Sequence, residues 1–356
     1  MTLGALPRVT VLMPVRNGAR WLNEAVESVL SQTFSNLELV AVDDGSTDET
    51  PDILARHAAR DSRVRLLHQS PAGLVAALNA GLAAARAPLV ARLDADDIAS
   101  PQRLERQVGH LSTHERIGLL GSWAEKIDAQ GRAEGRITPA VDPDVLRQVL
   151  ASTNPFIHSS VMFSTALARD LGGYRAAFEA AEDYDLWLRI SEVSEVANLP
   201  EMLVRYRSHA ANVTSRKIAR QSFSARMAKA ASRLRRTTGR DPAAELNAPP
   251  DWWAADAETA FYADAARISR FLELADPAVA CRCDLGRVDL RTFAGMIGEL
   301  THGERKLAQL AIVNLLRRAD RGNRLPTGVL TRLLFRLHPF RAAQLAWSAQ
   351  DRSLAR

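Results

Sequence analysis

Between residues 8 and 122, short apolar and β-branched runs alternate with stretches of helical period. VTVLMPV (9 to 15) predicts a strand, and the segment 19 to 33 follows it with Trp21, Leu22, Val26, Val29 and Leu30 along one helical face. LELVAVDD (37 to 44) predicts a second strand, with a helical segment after Thr47, and VRLLH (64 to 68) a third, with a helix near 73 to 86. PLVARLD (88 to 94) predicts a fourth strand, then a helix from Pro101, then the strand IGLLGS (117 to 122). This repeated βαβ rhythm implies an α/β fold: a mostly parallel sheet with helices on both faces, in which ligands collect outside the carboxyl ends of the strands.

The texture from 123 to 214 is mixed, with a hairpin signal at DAQG (128 to 131), a Pro-bounded helix near 143 to 151, and the runs HSSVMFS (158 to 164) and AEDYDLWLR (181 to 189). These extend the same domain, expected to cover 1 to 214. Beyond it, Arg- and Ala-rich helical patterns predict a linker over 215 to 245 and a helical C-terminal region over 246 to 356, broken near NAPPDWW (247 to 253). No internal repeat is evident.

Composition narrows the class. With 47% hydrophobic and 24% charged residues in 356, the chain reads as an ordinary soluble globular protein. Two cysteines, Cys281 and Cys283, are too few for a disulfide framework or a four-ligand zinc site and fit a reducing cytoplasm. The first residues lack the pattern of a signal peptide. The longest apolar stretch, 72 to 93, is interrupted by Asn79, Arg86 and Arg92, so no transmembrane helix is expected. A net charge of +5, almost all of it arginine, permits weak attraction to anionic lipid or phosphate but not the dense basic face of a nucleic-acid binder.

Polar clusters stand at the predicted strand ends: Asn17 after the first, Asp43 and Asp44 on the second, Asp94, Asp96 and Asp97 on the fourth. Asp-Gly-Ser is also a turn signal, and Ser46, Thr47 or Asp48 could cap the next helix. Three carboxylates within LDADD (93 to 97) repel one another unless a cation or solvent intervenes. Oxygen ligands suit Mg or Mn, which commonly completes its shell with substrate phosphates such as those of a nucleoside diphosphate. The alternative is a solvated acidic loop ahead of the helix at Pro101. Glu182 and Asp183 open a helical run, where acids are favoured in a first turn; the sharper reading makes Asp183 a general base. His158 and His209 are either structural or available to an oxygen-rich metal site. Asn212-Val213-Thr214 matches a glycosylation acceptor, without meaning in a cytoplasmic protein.

VTVLMPVRN (9 to 17), VDDGSTD (42 to 48), ARLDADD (91 to 97), HSSVMFS, GGY (172 to 174), AEDYDLWLR and YRSHAANVT (206 to 214), in this order and spacing, resemble glycosyltransferase family 2 over about residues 8 to 214. The resemblance implies a GT-A fold, with a nucleotide-binding half at 8 to 122 and an acceptor half at 123 to 214, and inverting transfer from a nucleotide sugar, expected to be a UDP-sugar. By motif, Asp44 would hydrogen-bond the nucleobase while Asp43 shapes that pocket. Pro14 and Asn17 would line the nucleotide, and Asn79 and Arg92 join the donor-binding set. Asp94 would approach the ribose or the metal shell, Asp96 would ligate Mn or Mg, and His209 matches a position that can add a ligand. Asp183 matches the catalytic base, with His158 and Glu182 in the donor and acceptor pocket.

Arg16 departs from the aromatic residue often found in the family. Processive members carry transmembrane helices and a Gln-x-x-Arg-Trp motif, which this chain lacks, so transfer of one sugar to a glycan, lipid-linked or small-molecule acceptor is expected. The Arg-rich segments 226 to 236 and 330 to 341 could rest on the inner face of the cell membrane, or pack as amphipathic helices on the protein. Trp252 and Trp253 are expected in a core. A nucleotidyltransferase and a non-catalytic nucleotide-binding scaffold remain competing readings. A dinucleotide-binding dehydrogenase is excluded, because PVRNGAR replaces the Gly-x-Gly-x-x-Gly turn.

Overall fold

The computed structural model describes residues 6–209, 215–282, 290–319 and 327–337. Cys283, the Asn212-Val213-Thr214 triplet and residues 338 to 341 of the second Arg-rich segment lie outside the described residues. The chain divides into two compact units, 1–212 with 232–248, and 213–231 with 249–356.

In the first unit, β1 (Val9–Val15) and β2 (Leu37–Asp44) are buried at every position, as strands covered on both faces must be. Helix α1 (Ala19–Leu30) joins them, α2 (Thr50–Arg60) leads to β3 (Val64–Gln69), and α3 (Leu74–Ala84) leads to β4 (Leu89–Arg92). The order β3-β2-β1-β4 is parallel throughout, with Val9 of β1 opposite Leu37 on one side and Leu89 on the other. The chain winds outward from β1 to β3 and then returns to β1's other side. The topological switch point therefore lies between the carboxyl ends of β1 and β4.

The rest of the unit comprises β5 (Ile98–Ala99), α4 (Arg103–Thr113), β6 (Ile117–Ile127), β7 (Ala133–Ile137), α5 (Pro143–Ser152), β8 (Met162–Ser164), α6 (Thr165–Asp170), α7 (Glu182–Ser191) and β9 (Glu195–Arg207). It continues the sheet as β4-β8-β6-β9-β5, with β7 on β6. β6 and β9 pair in parallel; the β4–β8, β6–β8, β5–β9 and β6–β7 pairs are antiparallel. The DAQG hairpin is present: Asp128 Oδ1 accepts from Gln130 N (2.8 Å) and Arg132 N (2.9 Å), and Gly131 takes φ +80°. HSSVMFS divides into a single helical turn, His158–Ser160, and the short β8.

The pleat sorts the side chains. Val9, Val11, Met13 and Val15 of β1, with Leu37, Leu39 and Ala41 of β2, face a core closed by α1, α2 and α4 through Leu22, Val26, Ile53, Leu54, Leu104 and Val108. Residues of the other parity, Leu12 and Val42, meet α3 so closely that a Cβ on Gly81 would lie 2.0 Å from Leu12 Cδ1. Pro14 and Asp44 continue this second face, as does Arg92, with Asp94 two residues further on.

The second unit is helical. α8 (Ser215–Thr238) begins it, and α9 (Ala263–Glu273), α10 (Pro277–Arg282), α11 (Leu290–Met296), α12 (His302–Ala319) and α13 (Thr327–Leu337) follow. Its core holds Ala219, Phe271, Phe293, Ile312, Leu330 and Leu334. Trp252 is buried, and both indoles donate to Glu273 Oε2, at 2.9 Å from Trp252 and 2.7 Å from Trp253. The apolar residues of the Arg-rich segments, Met227, Ala228 and Ala231 on α8 and Leu330, Leu333, Leu334 and Leu337 on α13, are buried. These buried residues pack into the protein. No described helix is long and apolar enough to cross a membrane.

The end of α8 belongs to the first unit. Glu192 accepts from Ser232 Oγ (2.7 Å) and Arg235 Nε (2.8 Å), and Asp241 accepts from Arg175 Nη1 (2.7 Å).

Candidate active site

The loops after β1 and β2 are tied together. Asn17 adopts φ +54°, which Asn tolerates better than most residues, and its Oδ1 accepts from Thr47 N at 2.8 Å. The N–H groups of Asn17, Gly18 and Ala19 donate to Ser46 Oγ (2.9 Å), Thr50 Oγ1 (2.9 Å) and Asp48 Oδ2 (3.2 Å). The polar residues after β2 thus cap α1, the preceding helix, and Asp48 Oδ1 also accepts from Thr50 N at 3.0 Å. Asp43 faces this side of the sheet, accepting from Ser46 N at 3.1 Å with its other oxygen 2.9 Å from His68 Nδ1.

Asp44 faces the opposite side and holds the loop into α3. Oδ1 accepts from Gln69 Nε2 and Ala72 N, both at 2.7 Å, and Oδ2 from Gly73 N at 2.9 Å. Burial alone would raise its pKa, but these hydrogen bonds outweigh it and hold the carboxyl below its ordinary value. Oδ2 keeps a lone pair for a further donor. Gly45 supports the turn: at φ +67° it lies against Pro71, whose Cδ would be 2.5 Å from an added Cβ.

At the end of β4, the fully buried Arg92 pairs with Asp94 through Nη2 and donates from Nη1 to Ser159 Oγ at 3.1 Å. Ser159 Oγ also accepts from Asp94 N (3.1 Å) and donates to Asp94 Oδ2 (3.0 Å). Burial works against Asp94's charge, yet Arg92 and Ser159 bring its pKa below the ordinary value. Asp96 Oδ2 lies 2.9 Å from His209 Nε2. Asp97 is buried; Oδ1 accepts from Arg207 N at 2.7 Å, and Oδ2 has no hydrogen-bond partner among the described residues. Burial first, then the neighbouring carboxylates, push Asp96 up and Asp97 well up.

Oxygens of Asp94, Asp96 and Asp97 lie within 4.8 Å of one another, the one such cluster of possible metal ligands among the described residues. An all-carboxylate set with an imidazole beside it and a buried unpartnered oxygen fits a hard divalent cation such as Mg or Mn.

The base candidate, Asp183, feels the charge of Arg92. Asp183 opens α7, its Oδ2 accepting from Asn154 Nδ2 at 2.8 Å and its Oδ1 from Tyr184 N at 2.6 Å. Burial raises its pKa to about 6, with these bonds and Arg92 opposing the rise. Glu182 is buried, and burial together with the Asp183 charge takes it to about 7. His158 Nε2 is 3.2 Å from Tyr174 Oη, and the ring packs edge-on to Trp187; burial and Arg92 keep it neutral. Asn79 reaches none of these side chains directly. Its amide accepts from Tyr174 N (2.9 Å) and donates to Tyr174 O (2.8 Å), so it fixes the segment that carries Tyr174.

The comparisons with known proteins agree with this geometry. A model described as "Glycosyl transferase family 2" matches residues 10–169. The chain is 38% identical over 207 residues to EpsE of Bacillus subtilis, covering 56% of this chain and 73% of that one. The chain belongs to glycosyltransferase family 2. Another relative, the amylovoran biosynthesis glycosyltransferase AmsE of Erwinia amylovora, is 34% identical over 198 residues, covering 55% of this chain and 74% of that one. The fold matches TarS 1-349 of S. aureus in complex with UDP-GlcNAc at a TM-score of 0.53 and 16% identity, over 88% of this chain and 87% of that one. It also matches the mannosyltransferase PcManGT of Pyrobaculum calidifontis in complex with GDP-Man and Mn2+, at 0.51 and 21% identity, over 89% and 87%. The chain spans about half of a longer TarS chain. As a family 2 glycosyltransferase of GT-A-like fold it takes its sugar from a nucleotide-sugar donor, and the nucleotidyltransferase and scaffold readings fall away.

Sequence reasoning missed Ser159, Asn154 and Arg207. Ser159 and Arg207 lay inside quoted motifs, and that placement was the available signal. Asn154 carried none, since only the fold brings it to Asp183.

Proposed function

We propose that this family 2 enzyme moves a single sugar from a UDP-sugar to a hydroxyl of a glycan, lipid-linked or small-molecule acceptor, by one displacement that inverts the anomeric centre. Asp183 carries the reading. Ionising at about 6, it is charged at neutral pH and still basic enough to take a hydroxyl proton, and two hydrogen bonds aim its oxygens. As Asp183 accepts that proton, the acceptor oxygen bonds the anomeric carbon, the bond to the diphosphate breaks, and nucleoside diphosphate departs. Such a base contributes typically about 10²- to 10⁴-fold.

Asp44 receives a nucleobase N–H at Oδ2, Pro14 and Asn17 line the nucleotide, and Asp94, steadied by Arg92, faces the ribose. Asp96, with Asp94 and His209, is the set that would hold Mn or Mg, which when bound offsets negative charge on the diphosphate. His158 and Glu182 meet sugar hydroxyls. The TarS complexes with UDP and UDP-GlcNAc support the uridine donor. AmsE and the O-antigen biosynthesis glycosyltransferase WbnJ of Escherichia coli support a glycan-building acceptor.

The test is nucleoside diphosphate release from UDP-, GDP- and dTDP-sugars with Mn or Mg. Metal-dependent release from a UDP-sugar, lost in Asp96→Ala and Asp183→Asn, is expected, with NMR showing the anomeric configuration inverted in the product. Wild-type release from Asp183→Asn would remove the base, and retained configuration would remove the single displacement.

A further inference from the structure

Trp21 stands in the first turn of α1, with the Arg20 guanidinium 4.6 Å from its ring centroid, and two of its other contacts lead to Asp96. The His209 ring lies against it, with centroids 4.6 Å apart and planes 31° from parallel, while His209 Nε2 is 2.9 Å from Asp96 Oδ2. The Arg207 guanidinium lies 5.5 Å from the indole centroid and donates through Nε to Asp96 O at 2.8 Å. Arg207 is held in turn by Glu24 Oε2, three residues along α1, at 2.5 Å and by Asp128 O at 3.3 Å. Trp21 itself is anchored by its Nε1–H, which donates to Ala129 O in the β6–β7 turn at 3.2 Å.

We infer that Trp21 is the positioning residue of the divalent-cation site: its ring sets the His209 imidazole against Asp96 and pins the end of β9 to α1 and to the β6–β7 turn. The inference rests on the reading of Asp96 and His209 as cation ligands. His209 lies two residues beyond the end of β9, and its ring is restrained by the indole on one side and by Asp96 at Nε2. Ligands oriented by a second layer bind metal more tightly than free ones; losing such a partner typically costs about 10- to 100-fold in affinity. The partner here is a ring face, with cation–π attraction to Arg207 adding to it.

Mn2+ is titrated by EPR into the full chain, with and without UDP, for wild type, His209→Ala, Trp21→Ala, Trp21→Leu and Trp21→Phe. Trp21→Leu fills volume without a π face, and Trp21→Phe keeps the ring but not the indole donor. His209→Ala, Trp21→Ala and Trp21→Leu are each expected to weaken Mn2+ binding by about 10- to 100-fold and to erase the imidazole nitrogen modulation in spin-echo spectra. Trp21→Phe is expected to keep that modulation, and in turnover assays the KM for Mn2+ should rise more than kcat falls for the Ala and Leu variants. Wild-type affinity in Trp21→Leu, with weakened binding in His209→Ala, would overturn the inference and leave the metal reading standing. Unchanged affinity in His209→Ala would overturn the metal reading, and the inference with it. A Trp21→Phe protein as impaired as Trp21→Leu would assign the effect to the Ala129 hydrogen bond and overturn the role of the ring.

Discussion

The Asp183 carboxyl ionises at about 6, and only its charged form can accept a proton. Its share of activity is therefore present above that value and lost as pH falls through it. A plot of log kcat/KM between about pH 5 and pH 8 is expected to rise with unit slope and level off above about 6; Asp183→Asn should flatten it. Asn154 favours the charged form by donating at 2.8 Å. Asn154→Ala should therefore raise the Asp183 pKa and move the acid limb to higher pH, with much of the plateau rate retained; a limb that stayed in place would show the bond to be without effect on the base. At this scale the sequence singled out Asp44, Asp96 and Asp183 as candidates, because they stand in recognisable motifs at strand and helix ends. It was silent about the residues that aim them, because those contacts join positions far apart in the chain, as Asn154 to Asp183 and Ser159 to Asp94.

Among elements, α3 lies on β1 and β2 at a distance that only glycine allows at position 81. In an open helix Gly→Ala gains about 1 kcal/mol. An added Cβ at Gly81 meets Leu12 Cδ1 at 2.0 Å and Val42 Cγ2 at 3.1 Å, so Gly81→Ala is expected to lose about 1–3 kcal/mol by overpacking. Gly109→Ala in α4, where nothing lies within 4 Å, should gain about 0.5–1 kcal/mol, both read by urea unfolding. The AEDYDLWLR motif also divides: Glu182 and Asp183 are the residues proposed for chemistry, while fully buried Asp185 pairs with Arg175 and Arg189. Asp185→Ala should cost about 3–5 kcal/mol, with kcat per folded molecule little changed. Strands β1 to β4 were legible because each is a compact apolar run between polar turns. The 13-residue β9 was not, since Pro200 falls where its pairing with β6 changes register and breaks the alternation a reader would look for. β5, at two residues, has no period at all.

For the whole molecule, the chain passes between its two units three times, at about 212, 231 and 248. The change of texture placed a linker over 215 to 245 without assigning 232–248 to the first unit, because ion pairs such as Arg235 with Glu192 leave no periodic trace. A fragment ending at 214 keeps Asp183 and the Asp94–Asp97 cluster but loses Asp241 from Arg175 and both Ser232 and Arg235 from Glu192. It is expected to unfold at lower urea than a fragment ending at 248, and equal midpoints would show these contacts to be dispensable. In hereditary terms, the catalytic module is not one continuous exon-like block. A recombination joined at the end of its last recognisable motif would inherit the chemistry without the buttress behind α7, so shuffling this module among proteins favours crossovers that carry the first stretch of the helical tail along with it.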